Sequence, residues 1–216
     1  MRKQILEQIA TALKERNPED FFIREADIQL YLAKYLIDKK IFDRIFIEYH
    51  IPRKLIPDYP WSGNKIYVDI VIEHKGYFYP IEIKYKTIKQ EFQHFVFGQE
   101  DTKILLGQHG AQDIGCYDFW KDVKRVELFE DTFPKCERGI VLFVSNDDTY
   151  RKKPLNPDAG YAKFSIHEGQ HVLAKSTLDW NGNFAVAKGR PALEITNDYI
   201  ISWTPLRIDK HYYILV

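Results

Sequence analysis

Residues 67–84 decide the fold of this 216-residue chain, and they read YVDIVIEHKGYFYPIEIK. Two largely apolar runs flank Lys75-Gly76, where glycine supplies the positive φ that a two-residue hairpin turn requires. A hairpin centred on this turn places Asp69 directly opposite Glu82. Lys84 shares the face of Glu82 because side chains alternate along a strand. The sequence therefore predicts two carboxylates and one lysine on a single patch.

This pair of acids indicates a cation site. Opposed side chains on neighbouring strands have Cβ atoms about 5 Å apart, and like charges there destabilise the pair. At an effective dielectric constant near 20, the repulsion is roughly 3 kcal/mol. A divalent cation removes it, and Mg²⁺ is commonly held by one or two carboxylates together with water and substrate phosphate. We therefore expect Asp69 and Glu82 to bind magnesium.

A third acid lies on a predicted helix before the hairpin. Asn17-Pro18-Glu19-Asp20 has the composition of a helix start, so a helix is expected over about 18–38. Glu25 falls within the apolar stripe of that helix, which consists of Phe21, Phe22, Ile28, Leu32 and Leu36. Acids are rarely buried unpaired, so Glu25 needs a partner on the sheet. Glu48, on the next predicted strand, is the rival candidate.

The periodicity elsewhere predicts an α/β fold. Further helices are expected over 3–15 and 111–130, and strands over 45–51, 66–73, 77–85 and 139–145. The last strand is apolar throughout, which indicates burial on both faces and a parallel crossover through the preceding helix. We expect a single domain over 1–216, with a core at about 18–145. The extension over 146–216 is expected to carry short strands at about 161–167, 170–175 and 211–216.

Composition excludes several classes of protein. Lys and Arg total 31, as do Asp and Glu, so bulk charge cannot drive binding to nucleic acid, although a local basic groove can. Two cysteines, Cys116 and Cys136, are too few for a disulfide framework or a four-thiolate zinc site. No apolar run approaches the roughly 18 residues of a membrane span, and the first residues lack a signal-peptide core. We expect a soluble, cytoplasmic protein.

The spacing of these residues resembles the PD-(D/E)XK nuclease superfamily, which has the restriction-endonuclease-like fold. Asp69 is followed, after twelve residues, by Glu82-Ile83-Lys84, and Glu25 precedes them on a helix. The resemblance implies a three-layer core in which helices flank a central mixed sheet. It also implies Mg²⁺ bound by Asp69, Glu82 and the main-chain carbonyl of Ile83, with Lys84 assisting the attacking water and Glu25 supporting the site. Val68 stands where the family name has proline, and the literal Pro57-Asp58 is expected in a loop.

The same resemblance implies a function. The chain is expected to be a Mg²⁺-dependent nuclease that hydrolyses phosphodiester bonds, with DNA as the expected substrate and Mn²⁺ as a substitute metal. A homodimer would suit double-strand cutting. Gln112 and Tyr117, on the following helix, are similar to the Gln and Tyr that border the site in some branches. The alternative is a non-catalytic module of the same fold that binds nucleic acid or protein.

A second motif points to different chemistry. His167-Glu168-Gly169-Gln170-His171 matches the H-E-x-x-H signature of zinc proteases, which requires a helix that brings both histidines to one face. Gly169 costs such a helix about 1 kcal/mol. The flanking segments 162–166 and 172–174 instead predict a hairpin that turns at Glu168-Gly169. We therefore expect no zinc site here.

Overall fold

Three α-helices form in the computed structural model, which describes residues 1–17, 22–63, 65–93, 103–208 and 210–216. They are α1 (Arg2–Glu15), α2 (Glu25–Asp38) and α3 (Gln112–Thr132). The predictions for α1 and α3 are confirmed within two residues at each end. Within the described residues, no helix is long and apolar enough to cross a membrane.

The start of α2 differs from its prediction. The helix begins at Glu25 rather than near residue 18, and Arg24 precedes it in an extended conformation. Asp27 explains this boundary, because its carboxylate accepts hydrogen bonds of 2.8 Å from the main-chain N–H groups of Ile23 and Arg24. The Asp27 side chain thus satisfies main-chain donors at the start of the helix. The Asn-Pro signal had predicted this start about seven residues earlier. Residues 18–21 of that signal lie outside the described residues.

The chain forms twelve strands within the described residues. They are β1 (Arg44–Pro52), β2 (Lys65–His74), β3 (Tyr77–Lys86), β4 (Gln90–Gln93), β5 (Lys103–Leu106), β6 (Ile140–Ser145), β7 (His171–Val172), β8 (Ser176–Leu178), β9 (Leu193–Ile195), β10 (Tyr199–Ile200), β11 (Thr204–Pro205) and β12 (Tyr212–Leu215). Short 3₁₀ helices cover Arg53–Leu55, Asp148–Arg151, Ala162–Phe164 and Ala185–Ala187. The four predicted core strands are confirmed.

The central sheet has six strands in the order β1-β2-β3-β6-β12-β11. Among the described strands of this sheet, β3 and β6 pair in parallel, through the crossover that contains α3, and the other neighbours are antiparallel, so the sheet is mixed. The hairpin between β2 and β3 turns at Lys75 and Gly76, whose φ angles of 52° and 76° fit a type I′ turn. Ile70 lies opposite Ile81, which is the predicted register.

Alternation along β3 divides the molecule into layers. Ile81, Ile83 and Tyr85 point into an apolar core beneath α1 and α2. Glu82 and Lys84 point to the other face, where α3 packs together with much of the C-terminal segment. The result is a mixed sheet between helices, which agrees with the predicted three-layer architecture.

The C-terminal segment is integrated with this core. The strand predicted near 211–216 is confirmed as β12, which pairs with β6 in the central sheet. The strand predicted over 161–167 is wrong: Ala162–Phe164 is a 3₁₀ helix, with Phe164 buried against α3. Of the segment 170–175, only His171–Val172 is a strand, and it pairs with β10.

The His-Glu-Gly-Gln-His segment turns at Glu168-Gly169, as predicted, but the predicted hairpin does not form, because Ala162–Phe164 is a 3₁₀ helix and His171–Val172 pairs with β10. Gly169 has φ of 76°, and the N–H of Gln170 donates to the carbonyl of His167 at 3.0 Å. The Glu168 carboxylate accepts a hydrogen bond from the main-chain N–H of Trp203. Because the two histidines are not on a helix, the arrangement that zinc proteases require is absent here.

Candidate functional site

Asp69 lies at a local break in the pairing of β1 with β2. Pairs on either side keep one register, but Glu48 has φ of 51° and does not pair with Asp69. The Nε2 group of Gln29 on α2 fills the gap, donating to the Asp69 carbonyl at 2.7 Å and to the Glu48 carboxylate at 2.9 Å. Val68 and Ile70 consequently enter opposite cores, although they are two residues apart.

The break leaves the Asp69 carboxylate directed at β3. Its Oδ2 atom accepts a hydrogen bond of 2.6 Å from the main-chain N–H of Ile83. The regular ladder between β2 and β3 stops at Ile70 and Ile81, one pair short of Asp69 and Glu82. Glu48 itself is exposed, and its described link to this region is the hydrogen bond from Gln29.

Glu25 reaches the same region from the first residue of α2. Its Oε2 atom accepts a hydrogen bond of 2.9 Å from the N–H of Tyr85, and its Oε1 atom lies 3.8 Å from Nζ of Lys84. Glu25 is thus held at the sheet as the apolar stripe predicted, although it begins the helix instead of following its first turn.

Helix α3 supplies two charged residues that the sequence analysis did not identify. Asp122 is 3% exposed, and its Oδ2 atom lies 3.5 Å from Nζ of Lys84. Arg125 places its NH1 group 3.2 Å from Oε1 of Glu82 and 3.4 Å from Oδ1 of Asp122. The i, i+3 spacing of these two opposite charges was the available signal, but it fits an exposed helix face equally well.

Six side chains therefore form what we call the charged cluster: Glu25, Asp69, Glu82, Lys84, Asp122 and Arg125. Its four acids and two bases leave a formal excess of two negative charges. Lys121, next to Asp122, adds a third cation at the edge of the cluster, with its ammonium 5.6 Å from the ring centroid of Trp61. The acids outnumber the cations even when Lys121 is counted.

Burial and mutual repulsion perturb the titration of the acids. Burial raises the pKa of Asp69 to about 6, with the N–H of Ile83 opposing the rise and the charge of Glu25 adding to it. Burial also raises the pKa of Glu82, and the carboxylates of Asp122 and Asp69 add to this effect against Arg125. The Asp122 carboxylate raises the pKa of Lys84, which therefore remains a cation at neutral pH.

The oxygen atoms of the cluster suit a hard divalent cation. Oε1 of Glu82 and Oδ2 of Asp122 are buried and accept no hydrogen bond within the described residues. Carboxylate oxygens are the ligands that Mg²⁺ and Mn²⁺ prefer. In the described part of the chain, however, no three His, Cys, Asp or Glu side chains converge closely enough to hold a metal ion. The donor chemistry fits magnesium, and the acids would have to close around it.

The other predicted site residues lie elsewhere. The Ile83 side chain is buried beneath α1 and α2, so only its main chain faces Asp69. Gln112 donates to the carboxylate of Asp147, beyond the end of β6. Tyr117 belongs to an aromatic core, where its hydroxyl accepts a hydrogen bond of 2.9 Å from Trp61. The structure brings neither Gln112 nor Tyr117 into the charged cluster.

Pro57 and Asp58 occupy an exposed turn, as predicted.

An apolar cavity of about 480 Å³ lies beyond the cluster on the same face of the sheet. Val68, Val71, Pro80 and Phe129 are among the residues that line it, and no member of the charged cluster does so. Its chemistry is therefore distinct from that of the cluster.

Comparison with known proteins identifies no relative. No family model matches the chain, and no curated protein or solved structure is significantly similar to it.

Proposed function

We propose that this protein is a Mg²⁺-dependent nuclease that hydrolyses phosphodiester bonds, with DNA as the first substrate to test. One observation carries the proposal: Glu25, Asp69, Glu82 and Lys84 come from three separate elements and lie at the same end of the β2–β3 pair, where their charges act on one another. This is the set that the resemblance to PD-(D/E)XK nucleases implies. The excess of acids, and the buried oxygens without hydrogen bonds, further support a divalent cation.

Each side chain has a role that follows from its contacts. Asp69 and Glu82 would hold Mg²⁺ through carboxylate oxygens, together with the main-chain carbonyl of Ile83. When bound, the metal orients the phosphate, acidifies a water molecule and neutralises developing charge. Asp69 remains tied to the N–H of Ile83, which fixes its position relative to β3.

Lys84 would act as a fixed positive charge. Because Asp122 keeps it protonated, Lys84 has no free lone pair with which to accept a proton from water. It can donate hydrogen bonds to the attacking water or to a phosphate oxygen, and so stabilise charge that develops in the transition state. Glu25 would position Lys84 through their contact of 3.8 Å.

One observation favours the alternative, a non-catalytic module on the same fold. Glu82 is only 2% exposed and contacts Arg125, so the cluster could serve as a buried ion-pair network that stabilises the fold. A binding module of this kind would bind nucleic acid or protein elsewhere on its surface. It would not cleave DNA under any metal condition.

Nicking of supercoiled plasmid separates the two functions. Wild-type protein should nick plasmid with millimolar Mg²⁺ or Mn²⁺ and lose this activity in chelator. Asp69→Ala and Lys84→Met should each abolish nicking while retaining the fold. If both variants keep near-wild-type, metal-dependent activity, the cluster is not the active site.

Lys124→Met is a matched control for Lys84→Met. The Lys124 side chain is 17% exposed, compared with 23% for Lys84, and its ammonium lies 3.7 Å from a buried glutamate, Glu127. Its loss should change stability by a similar amount without abolishing cleavage. Equal loss of activity in both lysine variants would indicate general destabilisation.

A further inference from the structure

Arg125 contacts the carboxylate oxygen of Glu82 that a bound metal ion would also contact. Its NH1 group lies 3.2 Å from Oε1 of Glu82, the same oxygen that accepts no hydrogen bond. The contact is an ion pair with poor hydrogen-bond geometry, so Coulomb attraction dominates it. The Arg125 side chain is 13% exposed, and this attraction acts in a poorly solvated environment.

Other contacts hold the guanidinium in place. Its NH2 group donates to the carbonyl of Tyr67 on β2, and NH1 lies 3.4 Å from Asp122 on its own helix. Burial lowers the pKa of Arg125, but the carboxylates of Glu82 and Asp122 outweigh burial and raise it overall. Arg125 therefore links β2, β3 and α3 and neutralises part of the negative charge of the cluster.

We propose that Arg125 is a positioning residue that sets the metal affinity of the cluster by competing for Glu82. In the metal-free protein, the guanidinium compensates the buried carboxylate. A divalent cation binding to the same oxygen makes this compensation redundant and repels Arg125, which retains its contacts with Asp122 and the Tyr67 carbonyl. Metal binding therefore shifts Arg125 away from Glu82. This inference rests on the proposed function, because it requires Glu82 to be a metal ligand.

Calorimetric titration with Mn²⁺ tests the competition without reference to activity. Arg125→Gln removes the cationic competitor and should bind Mn²⁺ about tenfold more tightly than wild type, the scale on which partners of metal ligands alter affinity. In thermal melts the variant should be less stable in chelator, since Glu82 loses its counter-charge. It should then gain more stability from Mn²⁺ than wild type does.

Two further variants complete the test. Arg44→Gln is a control outside the cluster. Arg44 pairs with Glu73 at 2.6 Å, and its loss should leave Mn²⁺ affinity unchanged. Arg125→Lys retains the charge but loses the planar fork, so it should bind Mn²⁺ more tightly than wild type by a smaller factor. If Arg125→Gln fails to fold, Arg125→Lys decides the question.

The outcomes separate this inference from the proposed function. Tighter binding by Arg125→Gln supports the competition, as does Mn²⁺ binding by the variant alone. If wild type binds Mn²⁺ and removing Arg125 leaves the affinity unchanged or weaker, the inference is overturned and the proposed function stands. If no variant binds Mn²⁺, both the inference and the metal-dependent function are overturned.

Discussion

Two buried glutamates, Glu127 on α3 and Glu82 on β3, differ sharply in the hydrogen bonds that they accept. Glu127, on α3 itself, is 1% exposed and accepts hydrogen bonds of 3.0–3.2 Å from the main-chain N–H groups of Thr196 and Asn197, the Asn197 side chain and the Tyr199 hydroxyl. Glu82 is 2% exposed, yet among the described residues its Oε1 atom accepts no hydrogen bond and has the ion-pair contact with Arg125.

The difference separates a structural acid from one that suits the proposed metal site. A buried carboxylate that is saturated by fixed donors contributes to stability, because its desolvation is compensated by several hydrogen bonds. A buried carboxylate with an unsatisfied oxygen, next to other acids, is costly for the folded state and available to a cation. Glu127 therefore belongs to the architecture, and Glu82 belongs to the proposed site.

The largest expected effect is on catalysis. Glu82→Gln keeps the shape of the side chain but weakens metal binding, so plasmid nicking in Mg²⁺ should fall by at least about a hundredfold, given the several kcal/mol that a bound metal supplies. Glu127→Gln should retain activity within about threefold per folded molecule, because its contacts lie outside the site. Equal losses of nicking activity in the two variants would show that Glu82 has no special role in catalysis.

The same pair should show the reverse order in stability. Glu127→Gln places an amide against four donor groups and should lower the free energy of unfolding by about 2–3 kcal/mol. In chelator, Glu82→Gln removes a charge that burial and two neighbouring acids disfavour, and Arg125 keeps its contact with Asp122, so the free energy of unfolding should change by less than about 1 kcal/mol. Urea unfolding monitored by tryptophan fluorescence measures both values. A larger loss in Glu82→Gln would make its ion pair with Arg125 a structural element.

Asp69 extends the comparison through its pH dependence. Its pKa is about 6 in the folded chain, against an ordinary value of 3.8. Between these values the folded chain keeps a proton that the unfolded chain has lost, so stability falls as the pH rises through about 6. In chelator at about pH 7.5, Asp69→Asn should be more stable than wild type by about 1–2 kcal/mol, whereas near pH 4 the two should agree.

Denaturant unfolding at the two pH values checks this sign. An asparagine oxygen can still accept the hydrogen bond from Ile83, so the substitution isolates the charge. If the variant is less stable at both pH values, the Asp69 carboxylate acts chiefly as a structural acceptor, in the manner of Glu127.

The smallest effect is expected at Tyr117. The residue is 1% exposed, and its hydroxyl joins Trp61 to the carbonyl of Pro191. Tyr117→Phe should cost about 1 kcal/mol of stability and leave nicking unchanged within about twofold. A large loss of activity at normal stability would indicate that Tyr117 borders the active site, as the resemblance implied.

The sequence was informative wherever one physical rule dominated. The Lys75-Gly76 turn and the flanking alternation defined the hairpin register, and with it the shared face of Glu82 and Lys84. The apolar strand 139–145 predicted the buried parallel partner of β3. The turn and the alternation are local, so neighbouring residues alone determine them.

The missed features depend on distant contacts. Gln29, Asp122 and Arg125 have ordinary polar side chains, and only the packing of α2 and α3 against the sheet brings them to the cluster. The strand predicted over 161–167 was wrong for a similar reason, because Phe164 is buried against α3 rather than alternating along a strand. Three consecutive apolar residues after Asp69 hinted at the break in β2, but they also fit a strand buried on both faces.

We expect Glu82 and Asp69 to bind a metal ion that Glu127 cannot bind. A crystal soaked in Mn²⁺ and measured at the manganese absorption edge tests it directly. We predict an anomalous peak at about 2.0–2.4 Å from carboxylate oxygens of both Asp69 and Glu82, distances typical of small divalent cations with oxygen ligands. Arg125 should have moved off Glu82. A well-soaked crystal with no peak there, and with Glu82 still paired to Arg125, would contradict the claim.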